Sequence, residues 1–500
     1  MTRYPLLTPE RVRTAPRHLR AIAGAAAVPA VVTLLVTSAY VVYSLWQWRT
    51  FTVKSWDLGI FTQMYQGYAS GGVPIVAIKG QDFNLLGDHF HPLLAVFTPV
   101  YALFPSALTL LVVQGACFGI AGGIVAWAAH RLIGPVSGTL IGLACGLSWG
   151  LQYAVDAQFH EIALAVPLLA GSLAAVVTRH WRWACGIAAF LPFVKEDQGL
   201  TVAGIGVVLV LLRQRRLGIA LTLWGLLWFA LAVFVVLPWL NPEEAWEYGK
   251  YLTGGDDAPD PAPGPPFNLF APQKALTMTL LAVATAGMMF RSPVALVLLP
   301  TLAWRFVSTN ESYWAPDWHY SAVLMPVAFM AAVDGIARAR AASSSDWERW
   351  WARLAPVAIG VACVAIAFLK PLPLTQVKEP GLLTPDPRAA AVEDVLGRIP
   401  DDATVLSDLS LMNYAVGDHE LYWIGTANPV PDYVLAGPTS TGPNQGWLTA
   451  VDMAVALHPG VAFELVVERD GYSLARRTGD DVVEVTPEPV PPEAPPANGH

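Results

Sequence analysis

The chain has 500 residues, of which 54% are hydrophobic and only 14% charged, against about a quarter charged in a soluble domain. That composition excludes a soluble globular protein. The net charge of −8 says little about partners, because the acids sit mostly in loops and in the C-terminal third, and no basic patch interleaved with aromatics suggests nucleic acid.

Arg3, Arg11, Arg13, Arg17 and Arg20 precede a long apolar run, Ala21 to Trp46. A cleaved signal peptide has an apolar region of only about 7–15 residues. The run is therefore read as a retained first transmembrane helix, with residues 1–20 as a basic cytoplasmic N-terminus. The segment 47–105 then lies outside, and its apolar part, Pro92 to Phe104, is too short to span and is expected to be re-entrant or interfacial. Ser106 to Ala129 returns inward to His130 and Arg131. Val136 to Ala154 leads out, and His160 to Thr178 comes back to Arg179 and Arg182.

Next come Trp183 to Val194 and Gln198 to Leu212. One continuous helix here would put Arg213, Arg215 and Arg216 outside, against the positive-inside rule. Two short, broken helices joined at Lys195-Glu196-Asp197 are expected instead, with the break lining a protein cavity. Leu217 to Leu240 exits to an outer loop, 241–273, with a Pro/Gly-rich tract from Asp256 to Pro266. Lys274 to Phe290, Pro293 to Val307, His319 to Ile336 and Ala355 to Leu369 complete the set. The total is about eleven spans, an all-α polytopic domain over 21–370 with its N-terminus in the cytoplasm.

Beyond Lys370 the pattern changes to a small extracytoplasmic α/β domain, 380–484. Helices are predicted over Ala389 to Arg398 and Trp447 to Leu457. Strands are predicted at Ala403 to Ser407 and Tyr433 to Ala436, and a hairpin, Phe463 to Val467 with Tyr472 to Arg476, turns at Asp470-Gly471. The domain lacks a G-x-G-x-x-G and a phosphate loop. Residues 485–500 read as a disordered Pro-rich tail. Cys117, Cys145, Cys185 and Cys363 lie in apolar stretches without a C-x-x-C pair, so neither zinc nor a disulfide framework is indicated.

Ionisable groups near hydrocarbon cost several kcal/mol unless paired or in a wet cavity. Here they gather at the outer ends of the spans. Asp57 sits among apolar and aromatic neighbours, which makes it a candidate base; the same residue suits a helix cap before Leu58. Asp88, His89 and His91 form a D-H-x-H that suits a divalent metal, a lipid phosphate or a cap on the next segment. Asp156 and His160 have the spacing of one helix face, with Glu161 adjoining. Lys195 suits a phosphate as a point charge, beside Glu196 and Asp197. Asp317 and His319 open a helix after a proline, where Trp318 and Tyr320 also serve as interfacial anchors.

Taken in order, Asp57-Leu58-Gly59-Ile60-Phe61-Thr62-Gln63, Gly87-Asp88-His89-Phe90-His91-Pro92, Phe159-His160-Glu161 and Val194-Lys195-Glu196-Asp197 resemble the bacterial membrane proteins grouped as DUF2079. The likeness extends through Tyr433-Val434-Leu435 and the Gly471-Tyr472 hairpin. That family looks like a branch of the GT-C glycosyltransferase superfamily. The resemblance implies a bacterial cell-membrane transferase using a polyprenyl-phosphate-linked sugar, membrane lipids around it, and a glycan or envelope acceptor. It implies Asp57, with Asp88 as second acid, in catalysis, with inversion at the anomeric carbon. His89, His91, His160, Glu161, Lys195, Glu196, Asp317 and His319 would bind substrate. No cofactor is fixed; a divalent metal at Asp88, His89 and His91 is a candidate. A secondary transporter and a non-catalytic glycan-binding envelope protein are the competing expectations.

Overall fold

A bilayer core about 30 Å thick takes roughly 20 helical residues to cross. A computed structural model describes residues 9–241, 271–342, 344–438 and 449–479, with side chains from residue 26 onward. Four described helices are long and apolar enough to span: Ala26–Arg49, Ala107–Ile133, Arg215–Leu240 and Asp346–Leu369. Their outward faces are apolar, with Leu34, Leu223, Val361 and Phe368 all more than half exposed. Helices satisfy their own backbone polar groups, so lipid is the solvent such faces suit. The predicted basic N-terminus has no described side chains, and the Asp256 to Pro266 tract and the Pro-rich tail lie outside the described residues.

The other apolar stretches come out short or broken. Val136 to Ala154 forms two helices, Pro135–Gly146 and Trp149–Asp156, with the Ser148 hydroxyl donating back to the Cys145 carbonyl at the break. Helix Pro272–Ala284 stops before Gly287, which takes φ 71, and a 3-10 turn Met288–Arg291 follows. A 70° bend separates Glu311–Ser321 from Leu324–Ala342. Length and composition alone therefore count four spans, or five with that bent pair.

The stretch from Trp181 reverses at Lys195-Glu196-Asp197. Its first leg, Trp181–Ala188, lies against helix Ile162–Val177, where the Ser172 hydroxyl donates to the Ala184 carbonyl at 2.9 Å. A 3-10 turn, Leu191–Phe193, leads to Lys195, which meets Glu161 at the start of the same helix. Gln198–Leu211 then runs back against Arg215–Leu231. Small residues let these backbones meet: a Cβ on Gly119 would stand 2.8 Å from the Thr33 carbonyl oxygen, and one on Gly206 2.6 Å from that of Gly218.

After the first helix come helix Trp56–Ala69, three 3-10 turns and helix Thr98–Leu103. The Pro92 to Phe104 segment is thus a 3-10 turn followed by a short α-helix, and it leaves Val96, Val100, Leu103 and Phe104 exposed.

The C-terminal domain is built on a five-stranded sheet of order β2-β1-β3-β5-β4. The strands are β1 Thr404–Ser407, β2 Glu420–Trp423, β3 Tyr433–Ala436, β4 Phe463–Arg469 and β5 Tyr472–Arg477. β1 pairs in parallel with β2 and β3, whereas β5 runs antiparallel to β3 and β4. Asp470 and Gly471, at φ 51 and 82, make the tight β4–β5 turn. Helices Ala389–Leu396 and Ala450–Leu457 pack on the sheet; the predicted start of the latter at Trp447 lies outside the described residues. The sheet domain docks on helix Trp56–Ala69. Gln63 Nε2 donates to the Leu421 carbonyl and Gln66 Nε2 to that of Val416, both at 2.7 Å, and the Trp56 and Trp423 rings lie 5.4 Å apart.

Candidate functional site

Helix Trp56–Ala69 starts at Ser55, whose hydroxyl accepts from the Leu58 N–H. Ser55 is the cap, so Asp57 stands in the first turn with its carboxylate available. That side chain is 44% exposed, and its Oδ2 is 3.2 Å from His160 Nε2. His160 shares no helix face with Asp156. Helix Trp149–Asp156 ends there and Gln158 takes φ 70, which turns the chain. Asp156 instead accepts from the Tyr43 hydroxyl at 2.5 Å and from Gln47 Nε2 at 3.1 Å.

His160 Nδ1 lies 3.1 Å from the Gln158 carbonyl. A carbonyl only accepts, so Nδ1 carries the proton and Nε2 is turned to Asp57. The His319 ring stacks on His160 with centroids 3.6 Å apart, and its Nδ1 is buried without a partner among the described residues.

Three further acids, Glu161, Glu196 and Asp88, are paired with cations. Glu161 Oε1 accepts from Lys195 Nζ at 2.6 Å, both residues being buried. Glu196 holds His89 Nδ1 at 2.8 Å through one oxygen and accepts the Phe90 N–H at 3.1 Å through the other. Asp88 pairs with Lys79 at 2.8 Å, and Lys79 also lies 4.9 Å from the centre of the Phe83 ring. Burial opposes charge on Asp88, but Lys79 and then His89 hold its carboxyl below the usual carboxylate range. Burial and Lys195 both pull His89 down, yet Glu196 with Asp88 outweighs them and leaves it raised. Burial pushes His91 down to about 4, so it is neutral.

These groups converge. One cavity of about 260 Å³ is lined by Asp57, Asp88, His89, His91, His160, Glu161, Lys195, Glu196 and His319. Asp317 is not brought there; it pairs with Lys370 at 2.6 Å. Apolar and aromatic walls complete the cavity, among them Phe61, Leu200, Phe229, Trp304, Tyr313 and Tyr320. Asp197 also lines it, with a carboxyl that burial pushes up to about 6.

Sequence reasoning assigned no role to Lys79, Asp197, Tyr313 or Gln158. Asp197 carried a signal, since it stands in the same charged tip as Lys195. Lys79 carried none beyond lying a few residues before the D-H-x-H. That motif does not close as a metal centre: Asp88 turns to Lys79, His89 to Glu196, and the His91 ring meets Phe61 edge-on at 5.7 Å. Among the described residues no three His, Cys, Asp or Glu side chains are placed to hold a metal ion, so the expected donor set does not fit one.

The family described as predicted membrane protein (DUF2079) matches residues 48–414. No curated protein matches the chain. The crystal structure of ArnT from Cupriavidus metallidurans bound to undecaprenyl phosphate is similar over 89% of this chain and 97% of its own, with a TM-score of 0.55 at 12% identity. ArnT from the same organism in the apo state is similar over 90% of this chain and 98% of its own, with a TM-score of 0.51 at 14% identity. At such identities the likeness is one of fold.

Proposed function

The chain belongs to the DUF2079 family of predicted membrane proteins, and from that premise we propose that it is an inverting glycosyltransferase of the GT-C type, moving a sugar from a polyprenyl-phosphate donor to an acceptor at the outer face of the membrane. The observation that carries this reading is the contrast within the cavity. Asp88, Glu161 and Glu196 are buried and engaged within 2.8 Å by Lys79, Lys195 and His89 respectively, whereas Asp57 is 44% exposed and, among the described residues, meets His160 at a longer 3.2 Å.

In this mechanism Asp57 accepts the proton of an acceptor hydroxyl as that oxygen attacks the anomeric carbon. The carbon–oxygen bond to phosphate breaks on the opposite face, and the lipid phosphate leaves with the electron pair. Lys195 and His89, both at the cavity wall, offset the phosphate charge, and positive groups already in place need no reorganisation to do so. The His91 and His319 rings, both at the cavity wall, are suited to sugar hydroxyls. The bound undecaprenyl phosphate in the ArnT structure supports a lipid of this kind as donor; the acceptor is a glycan or another envelope component.

The cavity faces outward, with the N-terminus in the cytoplasm, the C-terminal domain outside and about eleven crossings, several of them broken. Arginine placement supports this. Helix Ile162–Val177 starts beside cavity residue Glu161 and ends before Arg179, and Gln198–Leu211 starts beside cavity residue Asp197 and ends before Arg213. At 1.5 Å per residue each helix separates the two ends by roughly 20 Å.

The test is transfer from an undecaprenyl-phosphate-linked sugar by purified protein in vesicles. Activity that vanishes in Asp57→Asn is expected. Transmembrane solute flux with no covalent product would replace the proposal with a transporter, and transfer that persists in Asp57→Asn would remove Asp57 as the base.

A further inference from the structure

The peptide of Ser55, two residues before Asp57, is held from both sides. Its N–H donates to Gln158 Oε1 at 2.8 Å, and its carbonyl accepts from Asn413 Nδ2 at 2.9 Å. Its hydroxyl is the helix cap. Every polar group of this residue therefore fixes where the helix begins.

The two holders come from different parts of the molecule. Gln158 stands in the turn that presents His160. Its own carbonyl faces His160 Nδ1, and its Nε2 donates to the Asp156 carbonyl at 3.3 Å. Asn413 stands on the short helix Met412–Ala415, between β1 and β2 of the outer domain. Its Nδ2 also reaches the Val53 carbonyl at 3.3 Å, and the neighbouring Tyr414 hydroxyl accepts the Val53 N–H at 3.3 Å. Gln158 is 5% exposed and Asn413 1%, so water does not compete for these bonds.

We infer that Gln158 and Asn413 are positioning residues for Asp57, and that the outer α/β domain is thereby a working part of the site; the catalytic consequence, though not the geometry, rests on the role proposed for Asp57. Packing does not immobilise a carboxylate that is 44% exposed. It also stands on the first turn of a helix, where ends fray. Its placement is set by His160 at 3.2 Å and by the backbone that carries it, and that backbone is fixed by directed hydrogen bonds. A misplacement of about 1 Å costs about 100-fold in rate, so slack in either arm reaches the chemistry.

The experiment measures both geometry and rate on the full chain in nanodiscs. Residue 158 holds φ 70, a backbone that asparagine tolerates, so Gln158→Asn withdraws the acceptor by one methylene without straining the turn. Gln158→Glu keeps an acceptor oxygen in place. Hydrogen exchange of the segment holding Ser55 is expected to be about tenfold faster in Gln158→Asn and in Asn413→Ala, and near the parent rate in Gln158→Glu. Exchange in β1 and in helix Ile162–Val177 stays at the parent rate, which separates local slack from unfolding. With an undecaprenyl-phosphate-linked sugar, kcat falls about 100-fold in the two loosened variants, KM stays within about twofold, and Gln158→Glu recovers the rate. Unchanged exchange at Ser55 in both variants overturns the clamp. Faster exchange with unaltered kcat overturns the positioning role. A parent protein without transfer activity sinks the proposed function, while the exchange measurement still decides the clamp.

Discussion

The cavity has two kinds of wall. On one side Asp88–Lys79, Glu161–Lys195 and Glu196–His89 are close pairs of largely buried groups. At the other corner Asp57 is 44% exposed and meets His160 at a longer 3.2 Å. Removing two ions from water costs several kcal/mol each, which only good mutual geometry offsets. The members of the paired wall therefore cannot be removed singly without loss of stability, even where Lys195 and His89 also face the phosphate. Asp57 keeps nearly half of its solvent exposure, so its charge remains available for chemistry. The two walls should respond oppositely to substitution.

The largest expected effect is at the corner. Asp57→Asn lowers transfer by about 1000-fold, about 4 kcal/mol in barrier, with the melting temperature nearly unchanged. On the paired wall Glu161→Gln leaves Lys195 buried without its counter-ion and lowers stability by about 3 kcal/mol, read by denaturation in detergent. If Glu161→Gln were stable and inactive, or Asp57→Asn unstable and active, the division between the walls would be reversed.

The D-H-x-H loop sharpens the comparison, because His89 and His91 titrate in opposite senses. His89 is raised in the folded protein, so its pair with Glu196 contributes fully below the unfolded value of about 6.5 and is lost as pH rises through the folded value. His91 is pushed down to about 4, so the fold holds it neutral and stability falls as pH drops from about 6.5 to about 4. Melting temperature against pH should lose its alkaline decline in His89→Gln and flatten on the acid side in His91→Gln. Identical profiles for both variants and the parent would mean that neither ring is in the state its surroundings impose.

The ionisable clusters were legible because charge amid apolar helix is expensive and stands out in a sequence. Their pairing was not. Asp156 and His160 have helical spacing, yet Gln158 leaves the helix at φ 70 and delivers His160 to Asp57. Lys79 follows Val76-Ala77-Ile78 and Asn413 stands within Leu411-Met412-Asn413-Tyr414, each a lone polar residue outside any motif, and only the folded chain brings them to Asp88 and Ser55. Breaks in the apolar stretches, as at Ser148 and Gly287, do not alter mean hydropathy, so composition saw continuous helices where the structure has broken ones. In the outer domain β1, β3 and the hairpin carried strand signals, whereas β2 did not: all three short strands bury their last three residues, but Glu420–Trp423 holds no β-branched residue to mark it as a strand.

The smallest expected effect is at Asp317, the acid that sequence proximity joined to His319 and that the fold separates from it. Its partner is Lys370, just past the end of the last apolar helix, at 2.6 Å. The two side chains are 42% and 32% exposed, and Lys370 also lies 5.5 Å from the centre of the Tyr153 ring. Water screens such a pair, so it contributes at most about 1 kcal/mol. Asp317→Asn is expected to shift the melting temperature slightly and to leave transfer within about twofold of the parent. A double-mutant cycle with Lys370→Met isolates the pair, since Met keeps the stem against Tyr153 while removing the charge. A transfer loss above about tenfold in Asp317→Asn would bring this acid into the working site and extend the exposed corner beyond Asp57.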